Sequence, residues 1–332
     1  MMKNRGTVVT INPEDLRNAA ALLERSSRPL LISHPRPDGD TIGSTLALRL
    51  TLLELGKSPI IACEHPLGDN LAYLPGAKYF VDDVDEGVDI DLVVAVDMSD
   101  LSRTGTIYKD SWRNTLPLLV IDHHTTNRAF GDVNLVDPSA AATAVLLVDL
   151  ITSLGVEVKD DIATCLLVAL LTDTRGLRTQ STTPAVLRLV SELIEAGGNY
   201  IGVMQRTLDS VPYLQMRAWG MALDRLKLDK GFAWTTFPVA VKDQLNIDDF
   251  YDLDLGNLLS RVAEANIIAA FIEMRDNTVK VSMRARPGFD VARIAMEMGG
   301  GGHMLAAGFT MTGPIDNVVA QVVPKLQNET TH

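Results

Sequence analysis

What most constrains the fold of this chain is where its short apolar runs end. Leu30-Leu31-Ile32-Ser33 leads into His34, with Asp38 and Asp40 just beyond. Val93-Val94-Ala95-Val96 ends at Asp97, Val120-Ile121 runs into Asp122-His123-His124, and Leu170-Leu171-Thr172 ends at Asp173. Continuous runs this short read as strands buried on both faces. Further strands are expected at Ile60–Cys63, Leu92–Val96 and Leu118–Ile121. Helical patterns lie between them. Asn12-Pro13-Glu14-Asp15 reads as a helix start, with Asn as cap and acids at the positive dipole end. Leu16, Ala19, Ala20, Leu22 and Leu23 then share one face. A second helix runs from Thr41 to Leu55 and stops at Gly56. Others cover Ala141–Leu154 and Asp161–Leu171, and one opens at Thr183-Pro184 and ends at Gly197-Gly198. Strands alternating with helices predict an α/β fold with a parallel sheet covered on both faces. Ligands bind such sheets beyond the carboxyl ends of the strands, where all four acidic segments are expected to finish.

The pattern changes along the chain. Residues 1–198 read as this α/β domain and 199–230 as a helical connector. In the connector Met204, Leu208, Leu214, Met216, Trp219, Leu223 and Leu226 are expected to pack. Residues 231–332 read as a smaller α/β domain, with strands at Phe232–Phe237, Ile267–Ile272 and Val279–Arg284 and a turn at Asp276-Asn277. A cleft between the two domains is expected to limit substrate length.

Composition narrows the function. With 332 residues, 46% hydrophobic and 22% charged, the chain suits a soluble globular protein. No apolar run is long enough to span a bilayer. Residues 1–10 lack the apolar core of a signal peptide, so a cytoplasmic protein is expected. Two cysteines, Cys63 and Cys165, sit in apolar settings and read as buried thiols. A net charge of −12 argues against binding long nucleic acid, which demands many phosphate contacts.

His34, Asp38 and Asp40 share the loop His34-Pro35-Arg36-Pro37-Asp38-Gly39-Asp40. Its prolines hold it extended, and Gly39 is expected to turn the backbone between the acids. A single Asp at a strand end is ordinarily a cap, and a lone His-His pair more often than not binds no metal. Here three of the six histidines join four acidic segments at one sheet edge, which capping does not explain. Carboxylates with a minority of imidazoles suit Mn2+ or Mg2+. Two divalent ions would remove the repulsion and acidify a shared water. Near the C-terminus, Met298-Gly299-Gly300-Gly301-Gly302-His303 reads either as a flexible turn or as a phosphate cradle of backbone N–H groups, completed by the positive end of a following helix and by His303. Ser282-Met283-Arg284-Ala285-Arg286 places Arg284 where a guanidinium could meet a phosphate.

These segments resemble the four motifs of the DHH phosphoesterase superfamily, named for the triplet seen here as Asp122-His123-His124. The Ser-x-Arg strand, the Gly-Gly-Gly-His loop and Ala306-Ala307-Gly308 resemble its DHH-associated domain. The resemblance runs from about residue 28 to 309. It implies that His34, Asp38 and Asp97 hold one ion and that Asp40, Asp97, His123 and Asp173 hold the other, with Asp97 bridging. The ions would be Mn2+, with Mg2+ or Co2+ as substitutes. Asp122 would orient a ligand, and His124 would face the scissile phosphate. Catalytic roles thus fall on Asp97, Asp122 and His124. Arg284, Gly300, Gly301, Gly302, His303 and Arg178 would contact substrate.

The two-domain layout resembles the nanoRNase type, which cuts very short oligonucleotides and linear dinucleotides such as pApA or pGpG by attack of a metal-activated water on phosphorus. Manganese pyrophosphatases carry a different second domain, RecJ nucleases are longer, and membrane-bound cyclic-dinucleotide phosphodiesterases add segments absent here. The alternatives are a phosphatase acting chiefly on 3′-phosphoadenosine 5′-phosphate, and a nucleotide-sensing protein without turnover. Implied partners are short oligonucleotides or nucleoside bisphosphates; the layout is also compatible with a homodimer. One departure stands out. Where the family often has Asp-Thr-Gly-Gly-Phe-Arg, this chain has Asp173-Thr174-Arg175-Gly176-Leu177-Arg178, which bears on specificity.

Overall fold

A computed structural model describes residues 11–249 and 253–329; the stretch read for a signal core, 1–10, lies outside them. Residues 1–210 and 211–332 form two compact units.

The first unit begins with α1 (Pro13–Arg25), whose cap Asn12 accepts the Glu14 N–H at 3.0 Å. Then follow β1 (Pro29–Ser33), α2 (Gly39–Glu54), β2 (Ile60–Ala62), β3 (Phe80–Val81), β4 (Leu92–Val96), β5 (Leu118–Asp122) and β6 (Val133–Val136). Helices α3 (Thr143–Ser153), α4 (Asp160–Asp173), α5 (Pro184–Glu195) and α6 (Tyr200–Val203) complete it. The six strands pair in parallel in the order β3-β2-β1-β4-β5-β6. The strand order therefore reverses between β1 and β4. Right-handed crossovers on either side of that point must run over opposite faces. On one face, α1 to α5 bury Leu31, Val94, Leu119 and Ile121. On the other, Leu30, Ile32, Val93 and Val120 are covered by the loops after β3 and β4, through Val84, Ile90, Met98, Ile107 and Trp112. Both faces are covered, one by α-helices and the other by loops that include two short 3-10 helices, Leu101–Thr104 and Asp110–Trp112.

Two expectations need correction here. Asp173 ends a helix, not a strand. Residues Ile162–Leu171 of α4 are buried, and a fourteen-residue apolar element is too long for a strand of this sheet. Gly39 does not turn the chain in a left-handed conformation; it opens α2, with Asp38 as cap. A Cβ on Gly39 would lie 2.4 Å from the Thr172 side chain, and one on Gly43 would lie 2.4 Å from the Cys165 carbonyl. These two glycines, one turn apart, let α2 lie almost against α4.

The second unit comprises α7 (Tyr213–Leu223), β7 (Lys227–Asp229), β8 (Phe232–Phe237), α8 (Val239–Leu245), α9 (Leu255–Leu259), β9 (Ile267–Glu273), β10 (Thr278–Ala285), α10 (Val291–Glu297), β11 (Gly301–His303), β12 (Ala306–Thr312) and α11 (Ile315–Glu329). Its strands form a mixed sheet, β11-β12-β10-β9-β8-β7. One face packs on α10 and α11, the other on α7, α8 and α9. Met216 and Leu223, expected to pack, are exposed; α7 buries Ala218 and Ala222 instead, small residues that allow a close approach. The glycine run is followed by a strand, not by the expected helix. Gly301–His303 pairs antiparallel with β12. A Cβ on Gly302 would lie 2.5 Å from the Ala307 Cα, so this glycine serves strand packing.

Candidate metal centre

The centre sits at the carboxyl edge of the first sheet, where the strand order reverses. Here neighbouring crossovers diverge and leave a crevice. His34 follows β1 and is buried. Its Nδ1–H donates to the Pro35 carbonyl at 3.0 Å, which leaves the Nε2 lone pair free. That nitrogen lies 3.8 Å from Asp38 Oδ2 and 3.8 Å from Asp97 Oδ2. Asp38 spends its other oxygen on the Asp40 and Thr41 N–H groups, at 3.0 and 3.1 Å. His123 is set in the same way. Its Nδ1 bonds the Ala140 carbonyl at 3.1 Å, and its Nε2 lies 3.6 Å from Asp40 Oδ2, 3.7 Å from Asp97 Oδ1 and 3.5 Å from Asp173 Oδ2.

Separations of 3.5–3.8 Å are too long for hydrogen bonds. They match two donors flanking one ion, which at about 2.1 Å from each places them about 3.4 Å apart at the tetrahedral angle and up to about 4.2 Å at wider angles. Two donor sets emerge, His34-Asp38-Asp97 and Asp40-His123-Asp173. Asp97 turns one oxygen to each histidine. It holds a left-handed conformation (φ 61) directly after β4, one that Asp tolerates better than most residues.

The electrostatics fit a cation site. Burial, then the neighbouring Asp97, Asp173 and Asp38, drives the Asp40 carboxyl well above the usual range. Burial and Asp38 push Asp97 up to about 8. Burial also raises Asp173, against the opposing pull of His123. Burial lowers His34, which keeps it a neutral ligand. Acids so crowded favour protons until a cation replaces them.

Asp122 and His124 stand apart from this set. Asp122 is fully buried and accepts from His124 Nδ1 and Asn127 Nδ2, both at 2.6 Å. Burial raises its pKa, but these hydrogen bonds win and hold it below the usual value. The same bond, with Asp97 in support, raises His124. A third grouping, Asp97-His123-His124, is close enough to hold an ion, but His124 Nδ1 is already committed to Asp122.

Three contributors carry no signal in the sequence. Thr143, at the start of α3, donates its N–H to Asp40 Oδ2 at 2.7 Å and its Oγ1–H to Asp97 Oδ1 at 2.9 Å. Asn127 props Asp122. The positive charge of Arg103 opposes protonation of His34 and His124. A threonine before an apolar run is commonplace, and only the fold brings it to the acids.

The residues expected to meet substrate lie elsewhere in the fold. Arg178 is exposed just beyond α4. Arg284 on β10 donates to the Met283 carbonyl at 3.0 Å and to Ser282 Oγ at 3.4 Å. It lines a depression of about 460 Å³ in the second unit together with Ser282, Gly301, Ala307 and Gly308. His303 is exposed on β11.

Carboxylates and imidazoles gathered at the switch point of a parallel sheet suit a metal-dependent hydrolase, and the comparisons with known proteins give its class. Residues 29–170 match the DHH family, N-terminal domain, and residues 247–329 match the DHHA1 domain. The chain belongs to the DHH family of phosphoesterases and is a hydrolase of phosphoester bonds. That leaves the reading as a non-catalytic sensor without support.

Among its relatives is the bifunctional oligoribonuclease and PAP phosphatase NrnA of Thermus thermophilus. The two are 35% identical over 322 residues, 96% of this chain and 95% of the relative. The Bacillus subtilis protein of the same name is 25% identical, over 84% of this chain and 88% of the relative. An exopolyphosphatase-related protein from Bacteroides fragilis shares the fold, with a TM-score of 0.85 at 21% identity, covering 97% of this chain and 99% of that one. RecJ from T. thermophilus, solved in complex with Mn2+, shares it at a TM-score of 0.55 and 15% identity, covering 98% of this chain and 56% of RecJ. Among the described residues no helix is long and apolar enough to cross a membrane.

Proposed function

We propose that this protein hydrolyses very short oligonucleotides, including linear dinucleotides such as pApA and pGpG, to mononucleotides. The observation that carries this reading is Asp97, which offers one oxygen toward His34 and the other toward His123, as a carboxylate shared by two ions would. His34, Asp38 and Asp97 would hold one Mn2+, and Asp40, Asp97, His123 and Asp173 the second. When bound, the cations neutralise phosphoryl charge and acidify a water. The remaining work falls to the chain. Pro35 and Ala140 fix the two ligating imidazoles through their carbonyls. Asp122 fixes His124 by its Nδ1–H and favours its protonated form, so a second proton on Nε2 is available to the leaving oxygen. Arg178, Arg284, Gly300, Gly301, Gly302 and His303 are the proposed contacts of the terminal nucleotide. The buried free thiols Cys63 and Cys165 fit a cytoplasmic setting.

A second activity is favoured by the relatives' name, which joins oligoribonuclease to PAP phosphatase: release of phosphate from 3′-phosphoadenosine 5′-phosphate at the same centre. Turnover of pApA, a longer RNA, that bisphosphate, a cyclic dinucleotide and pyrophosphate should be compared in Mn2+. pApA and the bisphosphate should lead; a preference for pyrophosphate or for the longer RNA would refute the reading. Asp97→Asn should lower kcat by at least about two orders of magnitude while leaving the fold intact, because it removes a ligand rather than a support of one.

A further inference from the structure

Helix α4 closes in a Schellman motif. The Arg175 N–H donates to the Thr172 carbonyl at 3.0 Å and the Gly176 N–H to the Leu171 carbonyl at 2.7 Å, with Thr174 as the cap. The left-handed position of such an ending normally belongs to glycine, because a Cβ there crowds the backbone. Here it holds Arg175, at φ 50. Gly176 and Leu177 follow at φ 70 and φ 65, so three successive residues are left-handed and two of them carry side chains.

For Leu177 the strain is offset. Its side chain packs against the core of the first unit, and its N–H donates to Thr174 Oγ1 at 3.2 Å. Arg175 gains nothing comparable. It is exposed, and its guanidinium makes no hydrogen bond or ion pair among the described residues. Strain that local packing does not compensate marks a side chain kept for another purpose. The location suggests one: Arg175 stands two residues beyond Asp173, and its charge acts on that carboxylate.

We infer that Arg175 is a specificity-determining residue that takes a substrate phosphate next to the scissile one. This would be the 5′-phosphate of a short dinucleotide or the second phosphate of a nucleoside bisphosphate. A planar guanidinium engages two phosphate oxygens at once, which a glycine ending cannot do. The inference deepens the proposed hydrolysis of short phosphorylated nucleotides and rests on it. The competing role is structural, a cation favoured by the negative end of the helix dipole.

The two roles separate in the full-length, Mn2+-loaded protein. Wild type, Arg175→Gly and Arg175→Lys are compared on pApA and on ApA, which lacks the 5′-phosphate. Arg175→Gly should raise KM for pApA about tenfold and leave KM for ApA within about twofold. Its Tm should hold or rise by about 2 °C, because glycine relieves the backbone. Arg175→Lys should recover much of the lost KM. An unchanged KM for pApA, or equal losses on both dinucleotides, overturns the assignment, as does a Tm several degrees lower in Arg175→Gly. Calorimetric binding of AMP needs no turnover. If wild type hydrolyses neither dinucleotide, the proposed function fails, but Arg175 is still judged: AMP binding about tenfold weaker in Arg175→Gly upholds it, and unchanged binding overturns it.

Discussion

Thr143 ties two acids of the candidate centre together with one side chain and one amide. It donates to Asp40 through its backbone and to Asp97 through its hydroxyl, so a carboxylate from α2 and another from the end of β4 share one rigid support. Partners of this kind orient ligands, and losing one costs about 10- to 100-fold in metal affinity. Thr143→Val keeps the shape and removes the hydroxyl. It should weaken Mn2+ binding, measured by titration calorimetry, within that range, whereas Thr143→Ser should stay near wild type. Equal affinity in Thr143→Val would show that Asp97 needs no such partner. His124 shows the same economy, since the hydrogen bond that orients it also raises its pKa and keeps its proton in place.

At the scale of elements, the decisive contact is α2 against α4. Asp40 rides on the first helix and Asp173 on the second, and Gly39 and Gly43 set how closely the two lie. Gly43→Ala would press a methyl against the Cys165 carbonyl, a backbone atom that cannot swing aside. It should cost about 1–3 kcal/mol, seen as a lower Tm. It should also loosen Mn2+ binding, although no ligand is changed; tight binding at wild-type stability would deny the contact this role.

This contact also shows what can be read in the sequence. The strand ends at His34, Asp97 and Asp122 are legible because a short, continuous apolar run bounded by polar residues suits a strand buried on both faces. The run ending at Asp173 reads both as a strand end and as the close of the helix expected over Asp161–Leu171, since Leu170-Leu171 suits either element over so short a window; the helix is what forms. Strands β3 and β6 leave no trace there, because two to four half-exposed residues carry no period. The glycines suggest flexibility; their actual use, a close approach between distant segments, is visible only in three dimensions.

For the molecule as a whole, the metal centre is a local liability that cations turn into a gain. Asp40, Asp97 and Asp173 have raised pKa values in the folded, metal-free chain. Their unfolded values lie near about 4. From about pH 4 up to about 8, the value for Asp97, the folded state therefore holds more protons than the unfolded one. Stability from these groups is present at the acid side and falls as pH rises through that window. Asp122 has the opposite sign, but its titration lies below the window. Mn2+ demands the ionised forms, so the rise in Tm on adding saturating Mn2+ should grow from about pH 6 to about pH 8 in a thermal melt. A rise that stays constant across that interval would contradict the assignment.

The candidate ligands are scattered along the chain from His34 to Asp173, and the last arrives on α4, after the six strands of the first sheet. On the ribosome, where folding proceeds from the N-terminus, the histidines and most of the acids emerge well before the helix that completes the second donor set. The first donor set, His34-Asp38-Asp97, is thus complete in sequence well before the second, which waits for α4. A truncated product ending before α4 would display every candidate ligand but Asp173, so a cation held in the second set, unlike one held in the first, would report that α4 is in place.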